Sequence, residues 1–74
     1  MKLSEFRLAV AEEFGEAYGR SLLRDLVLPA LANRTGDEAL EAGTAPRAVW
    51  LALCEETDVP LSHRHGAGLR EPRR

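Results

Sequence analysis

The 74-residue chain lacks most of the features that catalytic and membrane proteins need. No apolar run approaches the ~20 residues that span a bilayer, and the opening MKLSEFRLAV reaches a glutamate too early for a secretory signal peptide. There is no glycine-rich phosphate loop, and no histidine occurs before residue 63. We therefore expect a cytoplasmic protein that has no membrane partner, is not an enzyme and uses no cofactor.

Thiol and imidazole ligands are almost absent as well. Cys54 is the single cysteine, so the chain cannot form an internal disulfide or complete a zinc knuckle. Its position inside an apolar helical stripe favours a buried core thiol over a nucleophile. His63 and His65 alternate with arginine, but two imidazoles without further ligands do not make a metal site. We expect no bound metal.

Acidic residues outnumber basic ones in most of the chain. Residues 1–60 hold six basic and eleven acidic side chains, a net charge of −5, whereas residues 61–74 hold four arginines and one glutamate, a net charge of +3. We predict one folded domain over 1–60 and a disordered basic tail over 61–74, where Gly, Arg and Pro occur without periodicity. An acidic domain repels phosphate backbones, so only weak, salt-sensitive nucleic-acid contact by the tail is expected.

The stretch from Thr35 to Pro60 carries the clearest local signals. Thr35 and Glu38 have the spacing of a capping box, which opens a helix. Gly43 supplies the left-handed residue that commonly closes a helix, and Pro46 fits the first turn of the next one. Two helices joined by a short turn with a glycine predict a helix-turn-helix-like corner.

Two earlier helices complete the expected bundle. The first has its N-cap at Ser4 and ends at Phe14 before Gly15; its core stripe comprises Leu3, Phe6, Val10 and Phe14, and Ala9 points elsewhere. The second runs from about Glu16 to Val27 or Leu28; its apolar face comprises Tyr18, Leu22 and Leu26, widened by Leu23 and Val27. A close helix crossing would explain Gly19 inside it. Arg20 and Arg24, one turn apart, are most simply a solvated edge; an anion site there is the alternative.

The fold class that follows is all-α: a compact bundle of three to four short helices with a disordered C-terminal tail. A domain this small has room for one core and buries only roughly 60% of the surface that its unfolded chain exposes. Its stability is therefore modest or supplemented by self-association. A turn or short helical turn is expected over residues 29–34.

The last helix offers a candidate contact surface. Its core stripe is Val49, Trp50, Leu53 and Cys54. Leu51 lies outside that stripe, in a row with Arg47 one turn before and Glu55 one turn after. A leucine between opposite charges and beside a large indole is typical of a small protein contact with a polar rim. The alternative is a packed Trp50 and an incidental Leu51, since single apolar surface residues are ordinary.

DNA binding is the competing interpretation of the corner. With Thr35 as the first position, Ala39, Gly43 and Val49 fall at the fifth, ninth and fifteenth, where DNA-reading units place a small residue, a turn glycine and a β-branched core residue. The helix that would enter the groove has Arg47 as its only cation and ends in acidic residues. We therefore favour a non-catalytic protein-interaction or regulatory module, with a weak DNA binder as the alternative.

A family resemblance covers about residues 3–60. It rests on SEFRLAVAEEFGEAYGRSLLRDLVL and on RTGDEALEAGTAPRAVWLALCEETDVP, and it is most specific in the block Val49, Trp50, Ala52, Leu53 and Cys54. These strings resemble the actinobacterial domain-of-unknown-function family 3046. The resemblance implies a short cytoplasmic protein, often encoded near the recombinase A gene and its regulator, which is an association with DNA repair. It implies no established activity and no catalytic residues.

Overall fold

A computed structural model describes residues 1–60, in which four helices surround one core. The elements in order are α1 (Leu3–Phe14), α2 (Glu16–Asp25), β1 (Val27–Leu28), a 3-10 turn (Pro29–Leu31), β2 (Arg34–Thr35), α3 (Gly36–Glu41) and α4 (Pro46–Thr57). The prediction of a mainly helical fold is confirmed. The all-α prediction is not fully correct, because β1 and β2 form a two-stranded sheet. The predicted disordered tail over 61–74 lies outside the described residues.

Helix α1 begins earlier than the sequence suggested. Its N-cap is Lys2, whose backbone N–H donates to the Glu5 carboxylate at 2.8 Å. Ser4 was expected to be the N-cap and instead lies inside the helix, exposed to solvent. The expectation was wrong because the acid three residues after Lys2 satisfies a free backbone donor without any hydroxyl. Gly15, at φ +88°, ends the helix as predicted.

The buried face of α1 is rotated from the predicted stripe. Phe6 and Val10 are buried and Phe14 is half-buried, as expected, but Leu3 at the helix start is 45% exposed. Ala9, predicted to point away, is only 2% exposed. The reason is that α1 packs against both α2 and α4, which widens its buried arc beyond the side that faces α2.

Helix α2 ends at Asp25, two to three residues before the predicted end. Pro29 disfavours helical geometry in Leu28, which has φ −110° and ψ 108° and pairs with Arg34 in the antiparallel sheet. The turn between the strands contains the predicted short helical turn over 29–31, followed by Ala32 and Asn33 in left-handed geometry. Val27, expected on the helix face, is exposed in β1.

Two residues of α2 show which of its faces is buried. Tyr18, predicted to line the core, is 61% exposed and contacts Phe14 edge-to-face with the ring centroids 6.4 Å apart. The prediction was wrong because the core lies on the side of Gly19 and Leu23, both buried. A Cβ at Gly19 would lie 2.6 Å from Cγ1 of Val10, so the two helices do cross closely at this glycine.

The corner between α3 and α4 is built from the expected residues. The Thr35 hydroxyl accepts from the Glu38 N–H at 3.2 Å, and the Thr35 N–H donates to the Glu38 carboxylate at 2.9 Å. Gly43 has φ +98°, and the N–H of Thr44 donates to the Ala39 carbonyl at 2.9 Å, which closes the end of α3. Pro46 is the first residue of α4.

The core is centred on α4. The fully buried side chains with the largest volumes are Trp50, Phe6, Leu28, Leu53, Val49 and Cys54, and four of these six lie on α4. Ala39 of α3, Leu23 of α2 and Val59 after α4 complete the cluster. Helices α1 and α3, together with β1, therefore cover parts of one central helix.

Candidate functional site

Burial divides the predicted contact residues of α4 into two groups. Trp50 is 1% exposed, so its indole belongs to the core and cannot meet a partner at the surface. Arg47 and Glu55 are exposed, and Leu51 between them is 37% exposed. We call Arg47, Leu51 and Glu55 the α4 strip. The structure brings these three together on the solvent side of the helix and removes Trp50 from the set.

The α4 strip is narrow because most of the helix is buried. Five of the twelve residues of α4 are buried: Val49, Trp50, Ala52, Leu53 and Cys54. At 100° per residue they occupy more than half of the helix circumference. The remaining arc holds the strip, which spans about 12 Å from its arginine to its glutamate at 1.5 Å per residue. It offers room for one small contact.

The end of α4 is fixed in a way that positions the strip. Asp58 takes left-handed geometry at φ +59°, and the N–H of Val59 donates to the Cys54 carbonyl at 3.0 Å. The hydroxyl of Thr57 donates to the Leu53 carbonyl at 2.8 Å. Val59 is buried against the core, so the last turn of the helix is held on both its backbone and its side-chain side.

A second candidate is a cleft between α1, α2 and α3, of which the sequence indicated only the edge formed by Arg20 and Arg24. Its volume is about 540 Å³. It is lined by three arginines from α1 and α2, by two leucines and by two acids from α3: Arg7, Arg20, Arg24, Leu23, Leu40, Asp37 and Glu41. We call this the arginine cleft. A smaller hollow of about 170 Å³ adjoins it between α1 and α2 and shares Arg7, Arg20 and Leu23 with it.

The arginines of the cleft have few competing partners. Arg24 Nε lies 3.3 Å from the carboxylate of Asp25, with both side chains about two-thirds exposed, 68% and 67%. Such an exposed pair contributes little free energy and is readily exchanged. Arg7 and Arg20 make no ion pair with any residue in 1–60. Their guanidinium groups are available to an added anion.

The position of Arg7 follows from the crossing of α1 and α2. Val10 contacts Gly19, and Arg7 lies one turn before Val10 while Arg20 follows Gly19 directly. The sequence indicated that Arg20 and Arg24 form an edge of α2, but it did not show that Arg7 of α1 lies beside them. The glycine inside α2 was the available signal, since it marks where the helices meet.

The described part of the chain has neither a metal-binding cluster nor a membrane-spanning helix. Within residues 1–60 there is no group of three or more His, Cys, Asp or Glu side chains that could hold a metal ion. No helix in this part of the chain is long and apolar enough to cross a membrane. Cys54 is a buried free thiol on the core side of α4, away from the α4 strip.

Comparison with known proteins identifies a family. The family model described as "Protein of unknown function (DUF3046)" matches residues 1–62. The match confirms the resemblance noted from the sequence and includes the helices that form both the strip and the cleft. No curated protein and no solved structure matches the chain.

Proposed function

Because the chain belongs to the DUF3046 family, whose description assigns no activity, we propose its function from its surfaces: it is a non-catalytic protein-interaction or regulatory module of the cytoplasm. The partner binds the α4 strip. The observation that carries this proposal is the exposed leucine of the strip, Leu51, set between opposite charges on a helix whose other large apolar side chains are buried.

The setting of Leu51 matters more than the extent of its exposure. Leu3, Leu8, Tyr18 and Val27 are all more exposed. Leu51 differs because it lies in the middle of a helix and among the residues, 49–54, that anchor this helix in the core. A partner that contacts it therefore meets a surface already ordered, which avoids the entropy loss of fixing a mobile segment.

The free energy that a partner can gain at the α4 strip determines how tightly it binds there. Full burial of an exposed leucine contributes about 1.5–3 kcal/mol, and a leucine that is 37% exposed has roughly 1 kcal/mol left for a partner. Arg47 and Glu55 at the rim add orientation and selectivity more than affinity. The strip alone therefore supports a weak, reversible contact, which suits a regulatory partner.

Affinity capture with NMR mapping tests this proposal. The full chain, labelled with ¹⁵N, is titrated with the protein that it captures from an extract of its source cells. We expect the largest chemical-shift changes at the amides of the α4 strip. If the changes map to α1 or to the sheet and leave α4 unaffected, the strip is not the contact surface.

DNA binding through the corner is the second candidate function. The observation that favours it is that Ala39 and Val49, at the fifth and fifteenth positions from Thr35, are both fully buried, with Gly43 in left-handed geometry between them. The association with DNA repair that the family resemblance implies is consistent with a DNA-binding role. Against it, α4 exposes Arg47 as its only cation.

Fluorescence anisotropy with duplex DNA at low and at physiological salt decides this second candidate. Absence of binding even at low salt eliminates DNA as a partner. Binding that is abolished when residues 61–74 are deleted belongs to the basic tail. Only binding that survives the deletion, and that Arg47→Glu weakens, supports a contact made by the corner.

A further inference from the structure

We propose that the arginine cleft is a second binding site, which accepts a short acidic peptide segment of a partner protein. A carboxylate of the segment is held by Arg7 and Arg20, and an aliphatic side chain next to it is seated on Leu23 and Leu40. This inference goes beyond the proposed function, since no residue of α4 lines the cleft.

The first step of the argument is the convergence of three like charges. Arg7 comes from α1, and Arg20 and Arg24 come from successive turns of α2. In the described chain Arg7 and Arg20 have no carboxylate partner, and Arg24 has only the exposed side chain of Asp25 next to it. Guanidinium groups that line the same cleft repel each other, and a carboxylate placed among them relieves that repulsion and accepts their N–H donors.

The second step concerns the apolar surface and the size of the cleft. Leu23 is only 4% exposed and Leu40 is half-buried, so Leu40 supplies most of the apolar surface that the leucines contribute to the cleft. The cleft is an open groove with a volume of about 540 Å³, which leaves room for a peptide side chain. An inorganic anion would leave the apolar surface uncovered. A peptide side chain of the size of leucine would cover it.

The third step of the argument is that the acidic side of the cleft favours a peptide over a nucleic acid. Glu38 of α3 is engaged with Thr35, whereas Asp37 and Glu41, one turn apart, line the cleft. A nucleic acid, which presents phosphates along its whole length, is repelled by these acids. A short peptide can place its carboxylate on the arginines and a neutral or basic residue towards α3.

The experiment is an NMR titration of the labelled full chain with a set of blocked hexapeptides. Each peptide contains two glutamates and one leucine, and the set covers every order of these three residues. We expect some members of the set to shift the methyl signals of Leu23 and Leu40 together with the Nε–H signals of Arg7 and Arg20. Counterparts with lysine in place of glutamate should leave these signals unchanged. Arg20→Glu should weaken binding by at least about tenfold, since it removes charge-assisted hydrogen bonds.

Two controls keep the result interpretable. Arg34→Glu makes the same charge change on β2, outside the cleft, and should retain binding within about twofold. Circular dichroism melting shows whether each variant is folded. Leu51→Asp should bind the peptides as the parent chain does, so that failure of the cleft and failure of the α4 strip are distinguishable.

Four outcomes would overturn the assignment. The first is that no peptide of the set shifts the cleft signals of the folded chain. The second is that the lysine counterparts bind equally well. The third is that Arg20→Glu binds unchanged. The fourth is that inorganic phosphate or duplex DNA shifts the same signals at comparable concentration, which would make the cleft a general anion or nucleic-acid site.

Discussion

Val10 and Gly19 are in such close contact that only glycine fits: a Cβ built on Gly19 would lie 2.6 Å from Cγ1 of Val10. This contact fixes the crossing of α1 and α2. It also brings Arg7 and Arg20 to the same cleft, because each is within a turn of the contact. One helix crossing thus determines both the packing of the first two helices and the composition of the arginine cleft.

Gly19→Ala should destabilise the domain. Alanine favours a helix by ~1 kcal/mol over glycine, but overpacking against Val10 costs about 1–3 kcal/mol, so we expect a net loss of about 1 kcal/mol in the free energy of unfolding. Urea denaturation measures it. In a double-mutant cycle, Val10→Ala should recover part of the loss caused by Gly19→Ala, because it removes the obstructing methyl group. Strict additivity of the two changes would contradict the close contact.

Thr35→Ala should lower the free energy of unfolding by about 1 kcal/mol, the usual cost of losing an N-cap hydroxyl. The hydroxyl accepts from the Glu38 N–H at 3.2 Å. Ser4→Ala is the matched control. Ser4 is exposed inside α1 and caps nothing, so its loss should change stability by less than about 0.5 kcal/mol. Thermal denaturation that shows the reverse order would contradict both N-cap assignments.

Cys54 should be inert towards thiol reagents in the folded protein. Its side chain is fully buried, and a reagent such as 5,5′-dithiobis(2-nitrobenzoic acid) reaches it only when the structure opens. We expect slow labelling in buffer and rapid labelling in concentrated urea. Labelling in buffer as fast as that of the unfolded chain would place the thiol at the surface.

The corner could be predicted from the sequence because its determinants are local. Thr35 and Glu38 cap each other across three residues, Gly43 and Pro46 act through their own backbone geometry, and none of them needs a distant neighbour. The last helix could also be predicted from the sequence. Its apolar stripe covers so much of the circumference that a small error in orientation hardly changes which residues are assigned to the core.

The features that sequence reasoning missed depend on contacts between distant segments. The strands β1 and β2 have two residues each, too short for an alternating pattern, and Val27 continued the apolar periodicity of α2. Tyr18 was assigned to the wrong face because periodicity gives an arc but not the neighbour that covers it. Arg7 lies beside the same cleft as Arg20 only because α1 and α2 cross, and that is why the sequence indicated only the Arg20 and Arg24 edge of the cleft.

The central claim is that Leu51 of the α4 strip is the contact point for a protein partner, and one comparison tests it most directly. The parent chain, Leu51→Asp and Leu8→Asp are immobilised at equal density, and the capture of partner protein from source-cell extract is measured for each. Leu8 is an exposed leucine on α1 and is the matched control. We predict that Leu8→Asp captures the same protein as the parent chain. The amount captured by Leu51→Asp should fall by about tenfold or more, because the substitution places a charge in the centre of the contact. Equal capture by Leu51→Asp and the parent chain would contradict the account.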